Sequence, residues 1–141
     1  MRGMCDRMRD ASFVAETETR VSASGVPYRV DKPWGHELIW AKTDRYVGKI
    51  LHIEAGHVLS LQYHNVKDET IYVLTGEIIL RTGPIERLTE RRMKPGESLH
   101  ISPKQIHQFE AVVTSDLLEV STPELDDVVR LKDRYGRVPP K

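Results

Sequence analysis

The sequence predicts an all-β sandwich or barrel, and three observations support this prediction. Apolar stretches of about five to seven residues, a length typical of strands, recur from Tyr28 onward. Gly, Pro, Asp and Asn separate these stretches, as turn residues separate strands. No helical periodicity of useful length occurs before Pro123. Many short strands at such spacing are typical of sandwiches and barrels.

The predicted elements follow one another closely along the chain. Residues 1–25 carry few bulky apolar side chains, so we expect a flexible, disordered N-terminal leader there. Residues 26–137 are then expected to form a single domain and residues 138–141 a tail. Strands are expected at residues 36–41, 46–53, 59–64, 69–74, 77–81, 85–93, 98–101, 107–113 and 117–121. After Pro123, a short C-terminal helix of about two turns is predicted by the apolar residues Leu125, Val128, Val129 and Leu131.

Length and composition exclude several classes of protein. A chain of 141 residues is sized for one ordinary domain. Its 21 Lys and Arg residues balance 21 Asp and Glu residues, whereas binding to nucleic acid or an anionic membrane needs a basic surplus. The single cysteine, Cys5, excludes a disulfide framework and a cysteine-based zinc site. With no secretory signal and no long apolar run, we expect a cytoplasmic protein.

Four polar side chains on the predicted strands suggest a metal site. Gln62 and His64 are two residues apart, so they share one face of the predicted strand and lie about 7 Å apart along it. A turn at residues 65–68 follows, and a hairpin would return Glu69 beside them. His107 opens another strand and shares its inner face with apolar residues. One amide, two imidazoles and one carboxylate form a mixed nitrogen and oxygen set suited to Zn, Fe(II), Mn or Ni.

Each of these residues also has a simpler interpretation. A lone histidine on a strand is more often a hydrogen-bonded filler than a metal ligand. Glu69, taken alone, is more often a solvated turn residue. Four compatible groups whose spacing brings them together favour the metal site over these alternatives.

The spacing of these residues resembles the two motifs of the cupin superfamily. Gly56, the segment 62–64 (QYH), Glu69 and Gly76 resemble the first motif, with Gln62 in the place of its usual first histidine. The segment 95–97 (PGE), Pro103 and His107 resemble the second motif. The resemblance implies a cupin fold, which is a double-stranded β-helix or jelly-roll barrel.

The resemblance is more specific to the C-terminal cupin domain of type II mannose-6-phosphate (phosphomannose) isomerases, and it covers about residues 28–137. It rests on the segments 32–35 (KPWG), 59–62 (LSLQ), 119–120 (EV), 126–130 (DDVVR) and 133–137 (DRYGR), and on Lys49. Two departures stand out. The family usually carries a His-His-Arg stretch after the metal histidine and an aromatic residue after the glutamate (HxHHRxEHW), whereas residues 65–70 here are NVKDET. The point charge of Lys67 thus stands in place of a planar arginine fork. The nucleotidyltransferase domain often fused to such cupins is not in the sequence, so we expect a standalone small cupin.

The resemblance implies a metal-dependent aldose–ketose isomerase acting on a sugar phosphate such as mannose 6-phosphate. A divalent ion polarises the carbonyl, and a base moves the proton between adjacent carbons. Zinc is expected first, with Mn, Fe or Ni as alternatives, and the expected ligands are Gln62, His64, Glu69 and His107.

Further residues are assigned catalytic and substrate-binding roles. Lys49 is expected to stabilise the enediolate or bind phosphate, and Glu119 is the candidate base; alternatively the two form only an ion pair. Lys67, Arg81 and Arg130 are candidate phosphate contacts, each with ordinary surface charge as its alternative.

Other functions and assemblies remain open at this stage. A Gln/His/His/Glu set also suits a metal-dependent oxygenase or lyase acting on a small molecule, and a non-catalytic sugar-binding cupin is a further alternative. The expected partners are a small-molecule substrate and a second copy of the chain. We expect a homodimer, because residues 28–34 can add an edge strand to a partner subunit.

Overall fold

The computed structural model describes residues 27–139, which form two antiparallel β-sheets and no helix. Residues 27–139 thus contain no helix that is long and apolar enough to cross a membrane. The strands are β1 (Tyr28–Lys32), β2 (Gly35–Lys42), β3 (Val47–Ile53), β4 (Leu61–Tyr63), β5 (Glu69–Thr75), β6 (Ile78–Thr82), β7 (Thr89–Met93), β8 (Ser98–Ile101), β9 (His107–Ala111), β10 (Ser115–Ser121) and β11 (Val129–Lys132).

The two sheets pack face to face around one main core. One sheet has the strand order β1-β2-β3-β10-β5-β8, and the other has the order β11-β4-β9-β6-β7. Their inner faces supply the buried apolar cluster, as expected for strands that alternate apolar and polar residues. The cluster comprises Trp34, Leu51, Ile53, Leu59, Ile71, Val73, Ile78, Leu80, Met93, Ile101, Phe109, Ala111 and Leu117. The all-β prediction therefore agrees with the structure.

Two tight turns between neighbouring strands require glycine. Gly35 links β1 to β2 with φ +149°, and a Cβ there would lie 1.9 Å from the carbonyl oxygen of His52. Gly76 links β5 to β6 with φ +88°, and a Cβ there would lie 2.1 Å from Ser115 Oγ. Any other residue would strain the backbone and collide with the neighbouring strand.

The predicted C-terminal helix is wrong. Residues 129–132 form β11, which pairs antiparallel with β4 and closes one edge of the five-stranded sheet. The apolar residues read as a helical stripe instead serve separate purposes, since Leu125 packs against a small cluster of buried residues while Val129 pairs with Tyr63. Strand pairing over a long sequence separation overrides the local pattern.

The predicted hairpin of strands 59–64 and 69–74 is also wrong. β4 belongs to the five-stranded sheet and β5 to the six-stranded sheet, so residues 64–68 cross from one sheet to the other. The predicted strand 85–93 is shorter and begins at Thr89. Residues 28–34 were expected only as an edge strand for a partner subunit, whereas β1 pairs with β2 of the same chain. The leader at residues 1–25 lies outside the described residues, as do residues 140 and 141 of the tail.

Candidate metal centre and cavity

The two sheets enclose an open cavity of about 430 Å³. Its walls come from the inner faces of both sheets and from residues 123–128, which run across one side. Apolar residues such as Leu51, Leu59 and Phe109 line it. Charged residues line it as well, so that the cavity combines apolar and polar walls.

Three buried ligand-type side chains meet beside this cavity, which His64 and Glu69 line. His64 directly follows β4, Glu69 opens β5 and His107 opens β9. One potential ligand atom from each lies within 4.8 Å of those of the other two. Glu69 Oε1 lies 3.5 Å from His64 Nε2 and 3.3 Å from His107 Nε2. The structure thus joins three of the four predicted metal ligands.

The two imidazole rings are oriented by backbone carbonyls. His64 Nδ1 donates to the carbonyl oxygen of Asp127 at 2.5 Å, and His107 Nδ1 donates to that of Gln105 at 2.9 Å. Because a carbonyl oxygen only accepts, each Nδ1 carries a proton, which leaves Nε2 as the nitrogen that a metal ion can bind when the ring is neutral. Both Nε2 atoms lie toward the carboxylate of Glu69, as in metal sites where a second hydrogen bond fixes the ligand ring.

The polar atoms at this point fit a divalent cation. His64 Nε2 and His107 Nε2 are buried and make no hydrogen bond of ordinary geometry. Buried polar atoms without partners are unfavourable, and a cation would satisfy both. Gln62 lies opposite His107 in the register of β4 and β9 and lines the cavity. Nitrogen and oxygen ligands of this kind suit Zn, Mn, Fe or Ni.

A line of buried charges extends from Glu69 deeper into the six-stranded sheet. Lys67 Nζ lies 3.0 Å from Glu69 Oε2 and 3.0 Å from Glu119 Oε2. Lys49 Nζ lies 3.7 Å from Glu119 Oε2 and 3.2 Å from Glu37 Oε1. Three carboxylates thus face two ammonium groups along this line, and each ammonium group contacts two of the carboxylates.

The pKa shifts in this line follow from burial and from the opposite charges. Burial alone would lower the pKa of Lys67, but the carboxylates of Glu119 and Glu69 outweigh it and raise that pKa. Burial would raise the pKa of Glu69, but contacts with His107, His64 and Lys67 hold it well below its ordinary value. For Glu37, burial is likewise outweighed by Lys49, and the pKa is lowered. The line is thus a set of ion pairs.

The structure brings most of the predicted catalytic and substrate-binding residues together. Lys49, Glu119, Lys67 and Arg130 all line the cavity. Burial lowers the pKa of Arg130, whose buried Nε has no hydrogen-bond partner. Arg81 is not brought to this site: it projects from β6 away from the cavity and pairs with Glu90 and Glu110.

Two residues of the site were missed in the sequence. Glu37 lies two residues before the buried Ile39 on β2, and this shared face was the available signal that it points inward. Asp127 belongs to the segment 126–130 (DDVVR), which carries part of the family resemblance, but the sequence suggested no role for it. Hydrogen bonds from the backbone N–H groups of Asn65, Lys67 and Val66 lower the pKa of its carboxyl to about 2. Nothing in the local sequence reveals that contact.

Comparisons with known proteins agree with this architecture. The sequence matches the family described as Cupin domain over residues 49–121. It is 36% identical over 115 residues to a mannose-1-phosphate guanylyltransferase of Escherichia coli K12. That region is 77% of this chain and 23% of the relative, so the chain spans about a quarter of the relative's length.

Solved structures show the same fold. KdgF from a Halomonas species superimposes with a TM-score of 0.63 at 21% identity, covering 70% of this chain and 89% of that one. A variant of oxalate decarboxylase from Bacillus subtilis superimposes with a TM-score of 0.66 at 13% identity, covering 80% of this chain and 32% of that one. At these identities the likeness concerns the fold alone. Because the family match spans more than half of the sequence, the chain belongs to the cupin domain family.

Proposed function

We propose that the protein is a metal-dependent aldose–ketose isomerase acting on a sugar phosphate such as mannose 6-phosphate. One observation carries the proposal: a buried carboxylate flanked by two lysines lines the same cavity as two members of a group of side chains that could hold a metal. The relative named mannose-1-phosphate guanylyltransferase supports a sugar phosphate as the substrate class.

The metal-binding role falls to Gln62, His64, Glu69 and His107, with zinc as the first candidate and Mn, Fe or Ni as alternatives. A divalent ion, when bound there, supplies Lewis-acid polarisation of the substrate carbonyl. Glu69 and His107 open strands of the two sheets, and His64 directly follows β4, so that both sheets hold the position.

Glu119 is the proposed base. Its side chain is 4% exposed, and Oε2 has no hydrogen bond of ordinary geometry although Lys49 and Lys67 flank it. In the isomerisation it takes the proton from one sugar carbon, leaving an enediolate, and returns it to the adjacent carbon, while the hydroxyl proton passes from one of the two substrate oxygens to the other. The ammonium of Lys49 stabilises the negative charge that develops on the sugar oxygen.

Arg130 and Lys67 are the proposed substrate-binding residues. The guanidinium of Arg130 lines the cavity with a buried Nε that lacks a partner, which an incoming phosphate oxygen would supply. Arg81 is left out of this proposal, because its guanidinium is engaged by two carboxylates outside the cavity. A homodimer that uses the edge strand β1, and a cytoplasmic location, stay predictions.

The test is a coupled assay of mannose 6-phosphate conversion to fructose 6-phosphate after reconstitution with each metal. We expect turnover that needs a divalent ion and is lost in Gln62→Ala and His64→Ala, with Arg81→Ala as the matched control. A protein that binds the ion tightly but converts neither mannose 6-phosphate nor other sugar phosphates contradicts the proposal. Oxygen uptake with Fe(II) would then favour an oxygenase, and its absence a sugar-binding cupin.

A further inference from the structure

Residues 65–68 form the loop that carries the chain from one sheet to the other, and their backbone N–H groups donate to side chains. Asp127 Oδ1 accepts from the N–H of Asn65 at 3.0 Å. Asp127 Oδ2 accepts from the N–H groups of Val66 at 2.6 Å and Lys67 at 2.8 Å. Three consecutive N–H groups thus converge on one carboxylate, a cradle that suits an anion. Asp127 lies 60 positions after Lys67 in the chain.

The neighbouring residue of the loop is held by the same C-terminal segment. The N–H of Asp68 donates to Thr122 Oγ1 at 3.0 Å, and the N–H of Thr122 donates to the carbonyl of Asp68 at 3.0 Å. Four successive loop N–H groups are therefore satisfied by side chains of residues 122–127. Without them these groups would have to turn toward water, and the loop would adopt another path.

Asp127 also contacts the metal-binding group directly through its main chain. Its carbonyl oxygen accepts from His64 Nδ1, the hydrogen bond that directs His64 Nε2 toward Glu69. The loop it holds ends at Lys67, whose ammonium contacts both Glu69 and Glu119. One residue therefore fixes two groups on either side of the Glu69 carboxylate.

We propose that Asp127 is a positioning residue that sets the geometry of the metal centre and of Lys67 together, by anchoring residues 65–67 to the C-terminal segment. The carboxylate fixes the loop backbone, and the carbonyl fixes the imidazole ring. The segment after Pro123 thereby acts as a template for the ligand set as well as a wall of the cavity. This inference rests on the proposed metal site, although its loop component does not.

The test compares Asp127→Asn and Asp127→Ala with Asp133→Asn in the full chain. Asp133 is a matched control, because it lies in the same C-terminal part and its carboxylate also accepts a backbone N–H, that of Arg137, at 2.7 Å. Asparagine at position 127 keeps one oxygen acceptor and alanine keeps none, so the effects should be graded. Removing such a supporting partner commonly weakens metal binding by about 10- to 100-fold.

Two readouts are needed besides turnover. Zinc affinity is measured by competition with a chelating dye, and the visible ligand-field spectrum is recorded after loading with Co(II). We expect Asp127→Ala to weaken zinc binding by at least 10-fold and to shift the Co(II) spectrum, Asp127→Asn to do so less, and Asp133→Asn to do neither. Amide hydrogen exchange of the metal-free protein should accelerate at residues 65–67 in both Asp127 variants.

The outcomes separate this inference from the proposed function. Wild-type zinc affinity and an unchanged Co(II) spectrum in Asp127→Ala would overturn the positioning role, as would an equal loss in Asp133→Asn. A wild-type protein that binds no divalent ion would overturn the proposed metal centre. If no divalent ion binds, the anchoring of the loop is still tested by amide hydrogen exchange. Exchange rates at residues 65–67 that are the same in Asp127→Asn as in the wild type would overturn it.

Discussion

Glu119 Oε2 lies 3.0 Å from Lys67 Nζ, and both side chains are at most 5% exposed. A buried ion pair of this kind is strongly destabilised when one partner is removed, because the other charge stays buried without compensation. The pair also joins the proposed base to the loop between two proposed metal ligands. Its two members should therefore give different results on substitution.

Substitution of Glu119 by glutamine should remove catalysis without removing the metal. The amide keeps the shape of the side chain, while Glu69 and Glu37 still contact the two lysines. We expect kcat to fall by about 10²- to 10⁴-fold, the usual contribution of a general base. Steady-state kinetics and metal content after dialysis check this, and wild-type kcat would contradict the assigned role.

Substitution of Lys67 by methionine should destabilise the fold. Glu69 and Glu119 would then lose a shared cation in a buried site, with an expected loss of about 3–5 kcal/mol in the free energy of unfolding. Arginine at this position keeps the charge, so Lys67→Arg should remain closer to the wild type. Urea unfolding of both variants measures the difference; equal stability of the two would indicate that the charge is not needed.

Substitution of Arg130 by alanine should impair substrate use, and substitution of Arg81 should not. A hydrogen bond to a charged group contributes about 1.5–3 kcal/mol, so loss of the Arg130 contact should lower kcat/KM by at least about 10-fold. Arg81 pairs with Glu90 and Glu110 away from the cavity. Kinetics with mannose 6-phosphate compare the two variants, and the opposite ranking would place the phosphate on the outer face.

Stability should depend on pH through His52. Hydrogen bonding to Asp116 raises the pKa of His52 above 6.5, its ordinary value, and Glu54 adds to the effect. The imidazolium is therefore favoured in the folded state. Its contribution is complete below about pH 6.5, the pKa expected when unfolded, and is lost as the pH rises through the higher folded value. Thermal unfolding of wild type and His52→Gln at several pH values should show a difference in stability that shrinks as the pH rises above about 6.5. A difference that grows with pH would contradict it.

Two glycines with similar backbone angles should respond differently to alanine. Gly76 and Gly56 have φ +88° and +80°, but only at Gly76 would a Cβ meet another group, Ser115 Oγ at 2.1 Å. Both variants should carry the strain of a left-handed backbone, about 1–2 kcal/mol. Gly76→Ala should lose about 1–3 kcal/mol more through the collision. Chemical denaturation compares them, and equal losses would mean that Ser115 moves aside.

The sequence predicted which residues face inward better than how the strands pair. The period of two along β9 predicted that His107 shares an inner face with apolar residues, and His107, Phe109 and Ala111 are buried. Strand partners depend on contacts far apart in the chain, so the crossing of residues 64–68 between the sheets was read as a hairpin. The helix after Pro123 was wrong for the same reason.

The candidate site was predictable to a similar extent. His64, Glu69 and His107 form recognisable spacings, and the structure brings them together. Asp127 and Glu37 escaped notice because their roles come from partners on distant segments. A carboxylate that accepts backbone N–H groups leaves no pattern in the sequence around it.

The three ligand-type residues do not all belong to one sheet. His64 and His107 extend from the five-stranded sheet, whereas Glu69 opens a strand of the six-stranded sheet. A cation held by all three would act as a cross-link between the halves of the sandwich, and separating the sheets would require releasing it. Mechanical and thermal resistance would then be set partly by ion concentration, rising by about 1.4 kcal/mol for each tenfold excess over the dissociation constant. The occupancy of this one site would thus contribute to the free energy that holds the two sheets together.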